Sequence, residues 1–134
     1  TGDGELQEGQ IWEALIFAAA KKVDNLIVTV DWNDAQIDGS TQQVCDLGDL
    51  KAKFTAFGFD VLEMKGNVME DVVFTLTEAQ LKTKKGNPIA ILMRTQMGFG
   101  VDYMMGTHKW HGSAPNDAQL ESAMVQLKET IGDY

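Results

Sequence analysis

Apolar spacing divides the chain into alternating helical and extended segments. Gln7 to Lys22 reads as a helix in which Ile11, Trp12 and the run from Ala14 to Ala20 are apolar nearly all round. A helix apolar on every side is buried on every side. In a small domain that places a sheet against one face and another domain or chain against the other. Asn25 to Asp31 is β-branched and mostly apolar, as a strand covered on both faces should be. Asn33 to Thr41 reads as a polar loop. Leu47 to Phe57 reads as a second helix closed by Gly58, and Phe59 to Met64 as a second strand. Val68 to Thr83 is a third helix, with Glu70 and Asp71 early and Lys82, Lys84 and Lys85 late, the sense the helix dipole favours. Pro88 to Arg94 is a third strand, its proline at the edge position where it is tolerated. Gln96 to Asn116 is a long loop holding Gly98, Gly100, Gly106 and Gly112. Asn116 caps a last helix, Asp117 to Ile131, with Leu120, Met124 and Leu127 directed inward.

Alternation of this kind predicts an α/β domain of three layers, a mostly parallel sheet flanked by helices. The loop after the third strand exceeds the roughly 12–15 residues usual for a structureless connection, which marks it as functional. No repeat or domain boundary interrupts residues 1–134. In open α/β sheets ligands sit beyond the carboxyl ends of the strands. Three segments fall there: Gly2-Asp3-Gly4, the loop after Asp31 and the loop after Arg94.

Composition narrows the chemistry. The 134 residues are 44% hydrophobic, enough apolar side chain to offset chain entropy, so disorder is excluded as the main state. The run Ala14–Ala20 is far short of the roughly 18 residues of a spanning helix, so no membrane partner is expected. Eleven Lys and Arg against 20 Asp and Glu leave a formal charge of -9, which repels phosphate backbones and argues against nucleic acid. The single Cys45 excludes an internal disulfide and fits a reducing, cytoplasmic setting. With no basic or histidine neighbour, it reads as a plain apolar residue.

Gly2 and Gly4 allow close backbone approach, and the helix start behind them offers N–H groups to an anion. Asp3 between them repels a bare phosphate but suits a divalent cation bridging carboxylate and phosphate. Asn33 offers a side-chain oxygen from the next loop. Asp31 and Asp34 fit less well, since further carboxylates overcharge a site already holding phosphates. Taken singly, each feature has a plain alternative. Gly-Asp-Gly is a common turn, and Asn33 can cap a loop. His108 and His111 can be surface residues beside Trp110, and Met97, Met104 and Met105 can fill gaps. A strand normally feeds such a glycine turn, and none precedes Thr1, so the chain is expected to lack the N-terminal part of its domain.

The combination is more specific. Gly2-Asp3-Gly4, 28 residues, then Asn33 resembles the diphosphate and metal motif of thiamine diphosphate enzymes. Gly2-Asp3-Gly4-Glu5-Leu6-Gln7-Glu8-Gly9-Gln10-Ile11-Trp12-Glu13-Ala14, Asn33-Asp34-Ala35-Gln36-Ile37-Asp38-Gly39 and Trp110-His111-Gly112-Ser113-Ala114-Pro115-Asn116 resemble transketolase. They are most similar to the N-terminal subunit of split transketolases. The resemblance implies a single domain over 1–134 binding the diphosphate of thiamine diphosphate together with magnesium or calcium. It implies Asp3, Asn33 and the backbone carbonyl of Ala35 as metal ligands. Gly4, with Glu5 beside it, falls at the diphosphate, and Ile37 falls near the thiazolium ring. Glu8 falls at a subunit interface, linked to the cofactor-activating glutamate of the partner domain. His111 falls near diphosphate and donor substrate, with His108 a less secure counterpart. The implied reaction moves a two-carbon ketol unit from a ketose phosphate to an aldose phosphate. The implied partner is a C-terminal subunit or pyrimidine-binding domain, in a homo-oligomer or heterotetramer. Without that partner the chain is expected to be catalytically incomplete. Another thiamine diphosphate enzyme, of deoxyxylulose-phosphate synthase or 2-oxoacid dehydrogenase type, and a non-catalytic binding module are the rival readings.

Overall fold

A computed structural model describes residues 1–127. A 3-10 turn (Gly4–Gln7) leads into α1 (Gly9–Ala20), β1 (Ile27–Trp32) and a small hairpin of β2 (Ala35–Gln36) and β3 (Gly39–Ser40). Then come α2 (Thr41–Cys45), α3 (Leu50–Ala56), β4 (Asp60–Lys65), α4 (Met69–Lys82), β5 (Ile89–Arg94), a second 3-10 turn (His108–Trp110) and α5 (Asp117–Gln126). The main sheet is parallel, with strand order β1-β5-β4. Helices cover both of its faces, as the alternation predicts.

β5 shows why the sheet is buried on both sides. Its side chains alternate between faces. Ala90 and Leu92 join Leu15 and Ala18 of α1 and Leu50 and Phe54 of α3 in one core. Ile89 and Ile91 meet Ala79 of α4 and Met64 in the other. β5 is the central strand, and Pro88 stands buried just ahead of it, so the ladder loses no donor inside the strand. The register pairs Trp32 with Arg94 at the last position of both strands. The loop after β1 and the long loop after β5 therefore leave the sheet side by side.

Several local expectations are corrected. The predicted helix over 7–22 breaks at Glu8, whose extended backbone separates the 3-10 turn from α1. The predicted polar loop 33–41 folds into the β2–β3 hairpin, and Ser40 caps α2 through its hydroxyl. The second predicted helix begins at Leu50 rather than Leu47, because the Asp49 side chain accepts the Ala52 N–H and so caps it there. Cys45 is exposed at the end of α2 instead of acting as an apolar residue. Asn116 caps α5 as expected, with Gln119 completing a capping box. Residues 128–131 of that predicted helix lie outside the described residues. Leu120, Met124 and Leu127 do not point inward; they are 50%, 64% and 46% exposed, and Ala123 is the buried residue of α5. The helix rests on the long loop rather than the sheet, tied by Gln126 to Asp102 and by the Tyr103 hydroxyl to the Gln119 carbonyl. α1 is also not enclosed all round, since Ile16 and Phe17 are exposed on its outer side.

Thr1 to Asp3 run parallel beside the end of β1. Asp3 N–H donates to the Asp31 carbonyl at 3.0 Å, and Asp31 N–H donates to the Thr1 carbonyl at 2.8 Å. These two bonds set the Gly-Asp-Gly turn at the carboxyl end of the sheet.

Candidate functional site

Asp3 is the best-buried polar residue at this end of the sheet, only 1% exposed. Its Oδ1 accepts the Gly4 N–H at 2.9 Å, and its Oδ2 accepts the Asp34 N–H at 2.7 Å from the loop after β1. Burial pushes its carboxyl above the ordinary 3.8; the two N–H donors pull it back, and the charges of Asp34 and Asp31 push it up again. Among the described residues Asp3 makes no ion pair. It is a buried carboxylate held in place by backbone donors and lacking a counter-charge.

Asn33 follows β1 directly. Its Oδ1 accepts the Ala35 N–H at 2.9 Å, an Asx-type turn, and its Nδ2 lies 3.4 Å from Asp31 Oδ2. Asp31 also accepts from the Thr95 hydroxyl. Asp34 has the left-handed φ of 59°. Its carboxylate is taken by the Trp32 indole N–H at 2.7 Å and by Arg94 at 3.1 Å.

These segments wall a cleft of about 450 Å³. It brings together Asp3, Gly4, Glu5, Glu8, Asn33, Ala35, Ile37 and His111, every site residue the sequence singles out apart from His108. Ile37 is 72% exposed, near the tip of the β2–β3 hairpin. Glu8 stands exposed ahead of α1, accepting from the Gln10 side chain. Glu5 turns back to accept the Gly2 N–H at 2.6 Å. The Gly4 N–H donates to the Asp3 side chain, which caps the 3-10 turn that follows the glycines. His111 ends the second 3-10 turn, and its N–H donates to the His108 carbonyl. Neighbouring Trp110 anchors that turn by donating to the Tyr103 carbonyl and packing edge-on against the Tyr103 ring. His108 faces a different cavity, of about 530 Å³, that shares Asn33 and Ala35 with the first.

Sequence reasoning passed over Gln36. Its Oε1 is buried without a hydrogen-bond partner and lies against Gly4, where an added Cβ would come within 3.2 Å of it. The second glycine of the motif is the available signal, since a residue without a side chain leaves room for one from the facing strand. Thr95 and Arg94 were also missed, because only the β1–β5 register brings them to Asp31 and Asp34.

The family described as transketolase, thiamine diphosphate binding domain, matches residues 1–132. The chain belongs to the transketolase family. It is 42% identical over 130 residues to an apulose-4-phosphate transketolase subunit of Phocaeicola vulgatus, covering 97% of this chain and 46% of that protein. It is 36% identical over 128 residues to a 6-deoxy-6-sulfo-D-fructose transketolase subunit of Clostridium sp., covering 96% of this chain and 46% of the relative. The transketolase structure from Campylobacter jejuni superimposes with a TM-score of 0.84 at 33% identity, over 93% of this chain and 19% of that one. This transketolase domain thus spans less than half the length of the curated relatives it matches. No helix among its described residues is long and apolar enough to cross a membrane.

Proposed function

We propose that this chain is the diphosphate- and metal-binding part of a split transketolase. It would act with a C-terminal, pyrimidine-binding subunit to move a two-carbon ketol unit from a ketose phosphate to an aldose phosphate. The observation that carries this reading is the single cleft joining Asp3, Asn33, Ala35, Ile37, Glu8 and His111 from three separate chain segments. The two relatives named as subunits support a separate partner chain.

The residues present fit a hard divalent cation. No cluster of three or more His, Cys, Asp or Glu suited to a metal occurs among the described residues. The candidate set is instead one carboxylate, one amide oxygen and one backbone carbonyl, from Asp3, Asn33 and Ala35. Such all-oxygen sets suit magnesium or calcium, and magnesium commonly relies on phosphate oxygens to complete its shell. A buried carboxylate without a counter-charge is costly, and a cation there relieves that cost. When bound, thiamine diphosphate supplies the electron sink for cleaving and forming the carbon–carbon bond.

The protein's own part is orientation and proton handling. Asp3 and Asn33 are pre-set by backbone hydrogen bonds, so little ordering is left for binding. Ile37 offers an apolar contact at the rim. His111 can donate one hydrogen bond and accept another beside diphosphate and sugar. Glu8, exposed at the cleft, is available to a partner chain. The test mixes the full protein with its cognate second subunit, thiamine diphosphate and magnesium, and follows two-carbon transfer between sugar phosphates. Transfer that requires both chains is expected. Cofactor binding without transfer in the assembled pair would make the chain a binding module instead.

A further inference from the structure

The loop that carries Asn33 and Ala35 is fastened from the side away from the cleft. Arg94, the last residue of β5, lies over the Trp32 ring with its guanidinium carbon 3.1 Å from the centroid. Its Nη1 donates to Asp34 Oδ2 at 3.1 Å, while the Trp32 indole N–H donates to Asp34 Oδ1 at 2.7 Å. Both oxygens of Asp34 are thereby used, and Asp34 holds a φ of 59°, a region that side-chain-bearing residues seldom occupy. In that conformation its N–H reaches Asp3 Oδ2 at 2.7 Å and its carbonyl accepts the Thr41 N–H at 3.2 Å. A strained residue persists only where its surroundings over-determine it. Here the surroundings are Asp3 and Thr41 at its backbone and, at its side chain, one planar cation and one indole set together by the β1–β5 register.

We propose that Arg94, acting with Trp32 on Asp34, is a positioning residue: it locks the 33–35 turn so that Asn33 and Ala35 are presented beside Asp3. This rests on the metal-site reading above. Charge adds to the effect. Asp3, Asp31 and Asp34 place three carboxylates at this end of the sheet, and among the described residues Arg94 makes the only salt bridge to any of them. Its bond neutralises the Asp34 carboxylate, which does not line the cleft that Asp3 lines. A lysine in its place keeps the charge but loses the flat stacking surface and the fork of donors.

Arg94 and Asp34 are half exposed, 51% and 61% at the side chain, so breaking the pair should disturb the turn far more than global stability. The test uses the full protein with its partner chain and five variants: Arg94→Met, Arg94→Lys, Asp34→Gly, the double variant Asp34→Gly with Arg94→Met and, as a control, Lys51→Met, which breaks the exposed Lys51–Glu63 pair elsewhere. Amide hydrogen exchange at residue 34 is read without metal or cofactor, and magnesium affinity is read by calorimetry with thiamine diphosphate present. Arg94→Met should speed exchange at Asp34 and weaken magnesium binding about tenfold, in the range of outer-shell partners of metal ligands. Its melting temperature should stay with that of Lys51→Met. Arg94→Lys should fall between. In the Asp34→Gly background, where the turn is free of strain, adding Arg94→Met should cost no further affinity. Unchanged exchange at Asp34 in Arg94→Met overturns the lock, with or without a metal site. Faster exchange with unchanged magnesium affinity overturns its link to the ligands. A wild-type protein whose magnesium affinity ignores the cofactor defeats the metal-site reading instead, and the exchange result still judges the lock.

Discussion

The two faces of the sheet are finished to different degrees. On one, α1 and α3 enclose ten buried apolar residues, including Leu6, Val30, Leu50 and Phe54. Trp12 is wedged there with its ring centroid 5.7 Å from Phe54 and 5.2 Å from Phe57. On the other, α4 covers four buried residues, Met64, Ala79, Ile89 and Ile91. The helix on that thinner face buries Thr75 while leaving Phe74 68% exposed. Met69, Val73 and Leu81 are exposed beside Phe74. Both faces leave apolar side chains outside, Ile16 and Phe17 on α1 as well as Met69, Val73, Phe74 and Leu81 on α4, but the core under α1 and α3 is the larger of the two. The candidate cleft lies at the carboxyl ends of the strands.

The sharpest way to break that contrast is at Phe54, fully buried and edge-on to Phe59 at 5.7 Å. Phe54→Ala should destabilise by about 3–5 kcal/mol, and Ile91→Ala on the thinner face by less, about 2–3 kcal/mol. Urea unfolding compares them; equal losses would mean both faces are equally well packed.

Asp3→Asn should come next, lowering magnesium-dependent cofactor affinity by at least the roughly 10–100-fold that loss of an outer-shell partner costs, since it removes the only carboxylate among the proposed ligands themselves. The same residue predicts a pH effect without metal. Its folded pKa is raised by burial, so its contribution to stability is fully present below the ordinary value of 3.8 and is lost as pH rises through the folded value. Metal-free protein should therefore lose part of its stability over that rise, and Asp3→Asn should lose less. Melting temperatures from acid to neutral pH check this.

His111→Ala in the assembled enzyme should lower kcat/KM at least about tenfold, because proton-handling groups contribute about 10²–10⁴. His108→Ala, facing the neighbouring cavity, should cost less. Steady-state kinetics with the second subunit distinguishes them. A wild-type turnover and donor KM in His111→Ala would remove that residue from the mechanism.

The smallest effect on folding should follow Phe74→Ser on the outer side of α4. Its stability should stay within about 0.5 kcal/mol of the parent, as for surface substitutions generally. Light scattering should nonetheless show less association at high concentration, because the exposed apolar surface has shrunk.

Much of the framework was legible along the chain because strands and helices announce themselves through periodicity. β1, β4 and β5 fall within two residues of where alternation and β-branching place them. The Asn116 cap was readable for the same local reason: a side-chain oxygen three residues before its N–H partner needs no tertiary information. The misread parts depended on distant contacts. Leu120 and Met124 have the spacing of a core-facing helix, but among the described residues they stay exposed and α5 is tied to the long loop instead. The 33–41 segment looked like a polar loop because a two-residue hairpin is too short to show alternation.

Sequence alone determined the three main strands, most of the long helices, the parallel α/β class and the Gly-Asp-Gly and Asn33 motifs, since each is written in residue types within a few positions of one another. Only the tertiary structure decided that Asp3 is buried and braced by the N–H of Asp34. It also decided that Arg94 lies on Trp32, and that Ile37, Glu8 and His111 share one cleft. The first depends on Thr1 to Asp3 pairing beside the end of β1, and the contact of Arg94 with Trp32 on β5 inserting beside β1, a pairing between residues some sixty positions apart. Strand order is set by how the whole set of apolar faces is buried together, which no local pattern records.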